Sequence, residues 1–158
     1  MKKTKQMNNN REKEKIALFA GTFDPYTIGH HRIVERALQL FDRIVVAIGV
    51  NSEKRTDTGT DARIENINSI YRNEPRVEAC AYEGLTVDFA RKVGAQYLLR
   101  GVRNVKDFEY ERDLADINLK IGDIETVFLV SEPQYAAISS SVVRELIKYN
   151  KDVSNLIP

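Results

Sequence analysis

A five-stranded, doubly wound parallel sheet with flanking helices is the fold this sequence predicts, a single α/β domain of Rossmann-like form. Three observations lead there. Short apolar segments alternate along the chain with amphipathic helical ones. The apolar segments are near-continuous rather than alternating, as strands buried on both faces must be. No internal repeat or long low-complexity linker interrupts the alternation, so right-handed strand–helix–strand crossovers account for its whole length.

The elements follow in order. Strands are expected at Ile16–Ala20, Arg43–Val50, Val77–Ala81, Tyr97–Leu99 and Thr126–Val130. Between the first two, Ile33, Val34, Ala37, Leu38 and Phe41 recur at helical spacing. Ile64, Ile67, Ile70 and Tyr71 form a second helical face, and Phe89, Ala90 and Val93 a shorter third. Tyr110, Leu114, Ile117 and Ile121 mark a fourth, and Val142, Val143, Leu146 and Ile147 a last one. Gly94 and Gly122 stand where glycines close helices, and Pro75 falls just beyond one. In sheets of this kind ligands bind beyond the carboxyl ends of the strands. The segments that follow strands directly are therefore where chemistry is expected.

Composition narrows the classes. The 158 residues carry 24 Lys and Arg against 23 Asp and Glu, a net charge of +1. That balance argues against a nucleic-acid binder held by bulk charge. The single cysteine, Cys80, can form neither an intramolecular bridge nor a cysteine-rich metal site. The longest apolar run, Ile44 to Val50, is far short of the roughly 20 residues of a membrane span. Residues 1–15 differ from the rest. Lys2, Lys3, Lys5, Arg11, Lys13 and Lys15 oppose only Glu12 and Glu14, a net of +4, with almost nothing apolar. A disordered basic tail is expected there, a nucleic-acid arm being the alternative. No apolar stretch follows it as in a secretion signal.

The first segment after a strand is Gly21-Thr22-Phe23-Asp24-Pro25-Tyr26-Thr27-Ile28-Gly29-His30. Gly21 and Pro25 bend the chain, and Gly29 lets backbone approach a ligand beside the helix start. A helix N-terminus offers unpaired N–H groups and partial positive charge, which suits a phosphate. An ordinary turn with a capping residue would show the same glycines. His30 adds a donor for an anion held there, whereas the adjacent His31 is expected to be a surface residue.

Gly21-Thr22-Phe23-Asp24-Pro25 followed by Thr27-x-Gly29-His30 resembles the T/HxGH signature of the nucleotidylyltransferase superfamily. Two further segments narrow the match: Arg100 to Glu111 after the fourth strand, and Ile138-Ser139-Ser140-Ser141-Val142-Val143-Arg144-Glu145 after the fifth. With Asp152-Val153-Ser154 and Pro158 they are similar to the phosphopantetheine adenylyltransferase family, over about Ile16 to Pro158. The resemblance implies a nucleotidylyltransferase domain over residues 16–158. It would move the adenylyl group of ATP to 4′-phosphopantetheine, giving dephospho-coenzyme A and pyrophosphate in coenzyme A synthesis. Attack would be in line, without a covalent enzyme intermediate, because positioning and charge stabilisation supply most of the rate. The resemblance also implies Mg²⁺ carried by substrate phosphates with no protein metal site, a homohexamer, and a cytoplasmic location, with neither nucleic acid nor membrane as partner. A sister enzyme acting on nicotinamide mononucleotide or making a CDP-alcohol shares the first motif, and a non-catalytic nucleotide-binding module is the alternative outside enzymes.

The resemblance assigns roles residue by residue. His30 would stabilise the transition state at the α-phosphate, and Thr22 would bond and orient the pantetheine phosphate. Lys54, in Asn51-Ser52-Glu53-Lys54-Arg55, matches the family lysine on the same phosphate; a solvated loop lysine is the plainer reading, and a slip of one would hand the role to Arg55. Arg100 would bind phosphopantetheine and Arg103 the ATP phosphates, since the guanidinium fork matches phosphate oxygens. Surface salt bridges of both arginines with Asp107 and Glu109 are the alternative. Thr86 would touch the pantetheine arm. Phe23, Gly101, Val102, Glu111, Tyr135, Ala136, Ala137 and Ile138 would contact ATP. Ser139, Ser140 and Ser141 can cap the last helix, hold phosphate, or do both. Two departures from the family pattern stand out: Thr60-Asp61-Ala62-Arg63 keeps only the arginine of the usual start to its segment, and Tyr135 replaces a frequent tryptophan.

Overall fold

The computed structural model describes residues 12–50 and 58–158. Five parallel strands form one sheet in the order β3-β2-β1-β4-β5: β1 Ile16–Gly21, β2 Arg43–Gly49, β3 Val77–Tyr82, β4 Tyr97–Val102 and β5 Glu125–Val130. The helices are α1 Ile28–Ala37, α2 Thr60–Ile70, α3 Thr86–Lys92, α4 Val105–Gly122 and α5 Ser140–Lys148, with a 3₁₀ turn at Pro133–Tyr135. The strand order reverses beside β1, so the loop leaving β1 opens where the crossovers part to either side.

The near-continuous apolar runs are explained by two cores, one on each face. Ala17, Phe19, Ile44, Val46, Ile48 and Leu99 face α1 and α2, where Ile33, Val34, Ala37 and Ile67 meet them. Ile16, Leu18, Ala20, Val45, Ala47 and Leu98 face the other way, onto Val87 and Ala90 of α3. Successive strand residues point to opposite faces, so a strand covered on both sides has no polar register. At the start of β1, the Lys15 backbone N–H donates to Asp42 at 2.7 Å, and Gln96 donates to the Glu14 carbonyl at 3.0 Å.

Two expectations need correction. The fourth strand runs to Val102, three residues past its expected end, with Arg100 and Gly101 paired to Phe128 and Leu129. Arg100 can lie in a strand because its guanidinium leaves the core at the sheet edge, and Gly101 because a Cβ there would come within 3.2 Å of Ile33. The helical period of Tyr110, Leu114, Ile117 and Ile121 falls on α4, but its apolar face is largely open: Tyr110, Ile117 and Ile121 are exposed, and the helix's one buried residue is Glu111. Gly122 is not the left-handed closing residue of α4, since Asp123 takes that conformation at φ 50°. Gly122 is required for another reason, because a Cβ there would stand 2.6 Å from Val87 Cβ. Gly94, by contrast, does close α3 with φ at +76°.

Candidate active site

The loop from β1 to α1 folds back on itself. Phe23 adopts a left-handed backbone (φ 50°), which carries its ring under Gly21, where an added Cβ would meet ring carbon at 3.0 Å. The chain then enters α1 through Thr27, a reciprocal cap. Thr27 Oγ1 accepts from the His30 backbone N–H at 3.3 Å, and the Thr27 N–H donates to His30 Nδ1 at 3.0 Å. With Nδ1 accepting, the neutral ring carries its proton on Nε2. Phe23 meets the imidazole edge-on at 5.0 Å and Tyr26 stacks on it at 5.4 Å. Burial first, then Arg100 and Arg103, lower the His30 pKa to about 4.

Two cavities open at this sheet edge. The first, about 770 Å³, is lined by His30, Thr22, Phe23, Gly101, Arg103 and Glu111, and by Tyr135, Ile138, Ser139 and Ser140 opposite. The second, about 710 Å³, runs toward Thr86, Tyr82 and Leu114. They share Thr22, Arg100, Tyr110 and Glu111, so the two spaces meet at one wall. Each is within the size range of a small-ligand site.

Arg100 is the organising cation of that wall. It donates from Nε and Nη2 to both oxygens of Glu111, at 2.7 and 2.6 Å, and from Nη1 to the Ala20 carbonyl. The partner is thus Glu111, not Asp107 or Glu109, because Glu111 is the α4 residue turned inward toward the sheet. Arg103 pairs through Nε with Asp107 at 3.0 Å. Its terminal NH₂ groups have no hydrogen-bond partner among the described residues.

The serine run is divided among three tasks. Ser139 caps α5 by accepting from the Val142 N–H, and Ser140 donates to the Pro25 carbonyl at 2.8 Å. Ser141 accepts from Arg144, which also donates to the Asp24 carbonyl at 2.6 Å. These bonds tie the start of α5 to the β1–α1 loop, where Ser139 and Ser140 line the first cavity. Thr86 exchanges a 2.9 Å hydrogen bond with Tyr82 on the second cavity's wall.

The structure therefore gathers Thr22, Phe23, His30, Arg100, Gly101, Arg103, Glu111, Tyr135, Ile138, Ser139 and Ser140, with Thr86 in the adjoining space. Val102, Ala136, Ala137 and Ser141 are not brought to either wall, and Lys54 lies outside the described residues. Sequence reasoning missed Lys106, Asn104 and Tyr110, which also line the first cavity. It also missed the work of Arg63, which is 5% exposed and donates to the Thr22 carbonyl. The available signal was its spacing: an arginine four residues before Ile67 on an apolar helix face. His31, expected at the surface, instead bonds the Tyr71 hydroxyl at 3.0 Å.

Comparison with known proteins gives a consistent picture. Residues 18–146 match the family model described as cytidylyltransferase-like. The chain is 51% identical over 142 residues to phosphopantetheine adenylyltransferase of Bacteroides fragilis, covering 90% of this chain and 95% of that protein. The protein of the same name from Bacteroides thetaiotaomicron is also 51% identical over 142 residues, covering 90% and 94%. That from Porphyromonas gingivalis is 49% identical over 146 residues, covering 92% and 95%.

Proposed function

The chain belongs to the phosphopantetheine adenylyltransferase family, and from that membership we propose that it joins 4′-phosphopantetheine to the adenylyl group of ATP by direct in-line attack. A phosphate oxygen of 4′-phosphopantetheine forms the new bond to the α-phosphorus. The bond from that phosphorus to the bridging oxygen breaks, and pyrophosphate leaves with the electron pair. Dephospho-coenzyme A is the other product.

The observation that carries this reading is the shared wall at Thr22 and Arg100, where two ligand-sized spaces meet beside the His30 imidazole. Two anionic substrates repel, so a site that joins them must offset charge before it can align them. Arg103, Lys106 and the α5 N-terminus supply positive potential on the ATP side. Arg100, Thr22 and Lys54 serve the phosphate of 4′-phosphopantetheine, whose arm extends toward Thr86. His30, neutral, donates from Nε2 to a non-bridging α-phosphate oxygen whose charge grows in the transition state. No side chain acts as a nucleophile.

Magnesium belongs to the proposal as a companion of the ATP phosphates, where it would neutralise charge on pyrophosphate as it departs. The donor chemistry fits that arrangement. Among the described residues no three His, Cys, Asp or Glu side chains group to hold an ion. Asp107 and Glu111 are engaged by arginines, and magnesium commonly binds through phosphates and waters with few protein ligands. The homohexamer carried over from the family belongs to the proposal as well, and the apolar residues exposed along α4, with Val130 at the sheet edge, offer a surface for contact between copies. Among the described residues no helix is long and apolar enough to cross a membrane. We place the protein in the cytoplasm, where ATP is supplied.

Pyrophosphate release tests the reading directly. With ATP, Mg²⁺ and 4′-phosphopantetheine the chain should release pyrophosphate and form dephospho-coenzyme A, and should be at least about a hundredfold slower with nicotinamide mononucleotide. Turnover of nicotinamide mononucleotide at a comparable rate would overturn it.

A further inference from the structure

Tyr26 is 1% exposed, and its ring stacks on His30 with 5.4 Å between centroids and 29° between planes. Its hydroxyl meets the Tyr71 hydroxyl at 2.6 Å, at the end of α2. The same Tyr71 oxygen meets His31 Nδ1 at 3.0 Å, and His31 Nε2 lies 3.5 Å from Glu35. A hydrogen-bonded line therefore runs from a surface groove of about 560 Å³, lined by His31, Glu35 and Tyr71, inward to the face of His30.

The proton order along that line follows from its outer end. The Glu35 carboxylate favours a proton on His31 Nε2, which leaves Nδ1 as an acceptor. Tyr71 then donates to His31 and accepts from Tyr26, so its one hydroxyl serves both neighbours. Burial pushes both phenols above their ordinary range, so they remain protonated donors.

Two buried hydroxyls are a costly way to fill a core, because each loses water, and Tyr26 regains one bond and Tyr71 two. Phenylalanine would fill the same space. The hydroxyls bring direction. The Thr27 N–H bond holds one atom of the His30 ring, and the rings packed against the imidazole bear on its plane. Phe19 and Phe23 meet the imidazole edge-to-face and carry no polar atom that another element could hold. Tyr26 alone among these rings is anchored by a hydrogen bond to another helix.

We infer that Tyr26, held by Tyr71 and His31, is a positioning residue for His30, setting the ring plane and so the direction in which Nε2–H points. This rests on the role proposed above for His30 at the reacting phosphate. It makes the two adjacent histidines functionally different ends of one device. His30 meets substrate, while His31 secures the residue on which His30 rests.

The test combines kinetics with nitrogen-15 NMR of the histidine rings in the full-length protein. Tyr71→Phe should lower kcat roughly threefold to tenfold with both KM values within about twofold, because misalignment acts on the transition state. The His30 ring resonances should move in the free protein, which a remote loss of packing would not produce. His31→Ala should shift both readouts in the same direction. His31→Asn, whose Oδ1 falls near the position of Nδ1, should restore them. If Tyr71→Phe fails to fold, the His31 pair decides, since that side chain is 21% exposed. An unchanged kcat in Tyr71→Phe or His31→Ala overturns the inference, whether or not the resonance moves. An inactive wild-type chain would defeat the proposed reaction instead, and the His30 resonances would still report whether the line orients the ring.

Discussion

The backbone N–H of Thr27 donates to Nδ1 of His30 at 3.0 Å, while the Thr27 hydroxyl accepts from the His30 backbone. One residue thus starts the helix and fixes the tautomer of the imidazole. Because burial and two nearby arginines lower the His30 pKa to about 4, the ring at neutral pH is an uncharged donor. Arg100 and Arg103 supply the positive charge that His30 lacks.

That shift makes stability depend on pH in a definite direction. An unfolded histidine titrates near 6.5, so between about 4 and 6.5 the unfolded chain binds the extra proton. The His30 contribution is therefore complete above pH 6.5 and declines as pH falls toward 4, by at most about 3 kcal/mol. Urea midpoints from pH 7 to pH 4 check this. The wild type should lose more stability over that range than His30→Asn, and parallel curves would contradict the shift.

Arg100 and Glu111 form a bidentate pair, 33% and 11% exposed. Replacing Glu111 by alanine should cost about 1–3 kcal/mol, reduced from a fully buried pair because water reaches the arginine. Arg100→Ala should raise KM for 4′-phosphopantetheine by about tenfold or more. A double-mutant cycle on unfolding free energies should give a coupling of about 1–3 kcal/mol. Simple additivity would mean the pair contributes nothing to the wall.

Gly122→Ala tests packing far from the chemistry. A Cβ there falls 2.6 Å from Val87 Cβ, so α3 and α4 must separate. Stability should drop by about 1–3 kcal/mol, and adding Val87→Ala should recover part of it. Chemical denaturation of the single and double variants decides the matter, and a single variant as stable as wild type would refute the close approach.

Much of this architecture was legible because period and burial coincide. The runs at Ile16 and Ile44 are apolar throughout, and the structure buries both faces of those strands. Legibility failed where side chains work outside that rule. The fourth strand was cut short at Arg100, because a charge looks like a strand end unless a carboxylate eleven residues later accepts it. The exposure of Tyr110, Ile117 and Ile121 was not legible, because periodicity reports only that a surface is apolar, not what covers it. At the site, the glycines and His30 stood out by type and position. The Tyr71 hydroxyl and the Arg63 bond to Thr22 did not, since nothing in local sequence reveals a partner 41 or 45 residues away.

The central claim is that a pinned, neutral His30 stabilises charge at the reacting phosphorus without being needed to hold ATP. Measuring kcat and the ATP dissociation constant of His30→Ala side by side tests it most directly. The account predicts a fall in kcat of at least about a hundredfold, with ATP affinity within about threefold of wild type. A variant that turns over at nearly the wild-type rate, or that loses ATP binding in proportion to its rate, would contradict it.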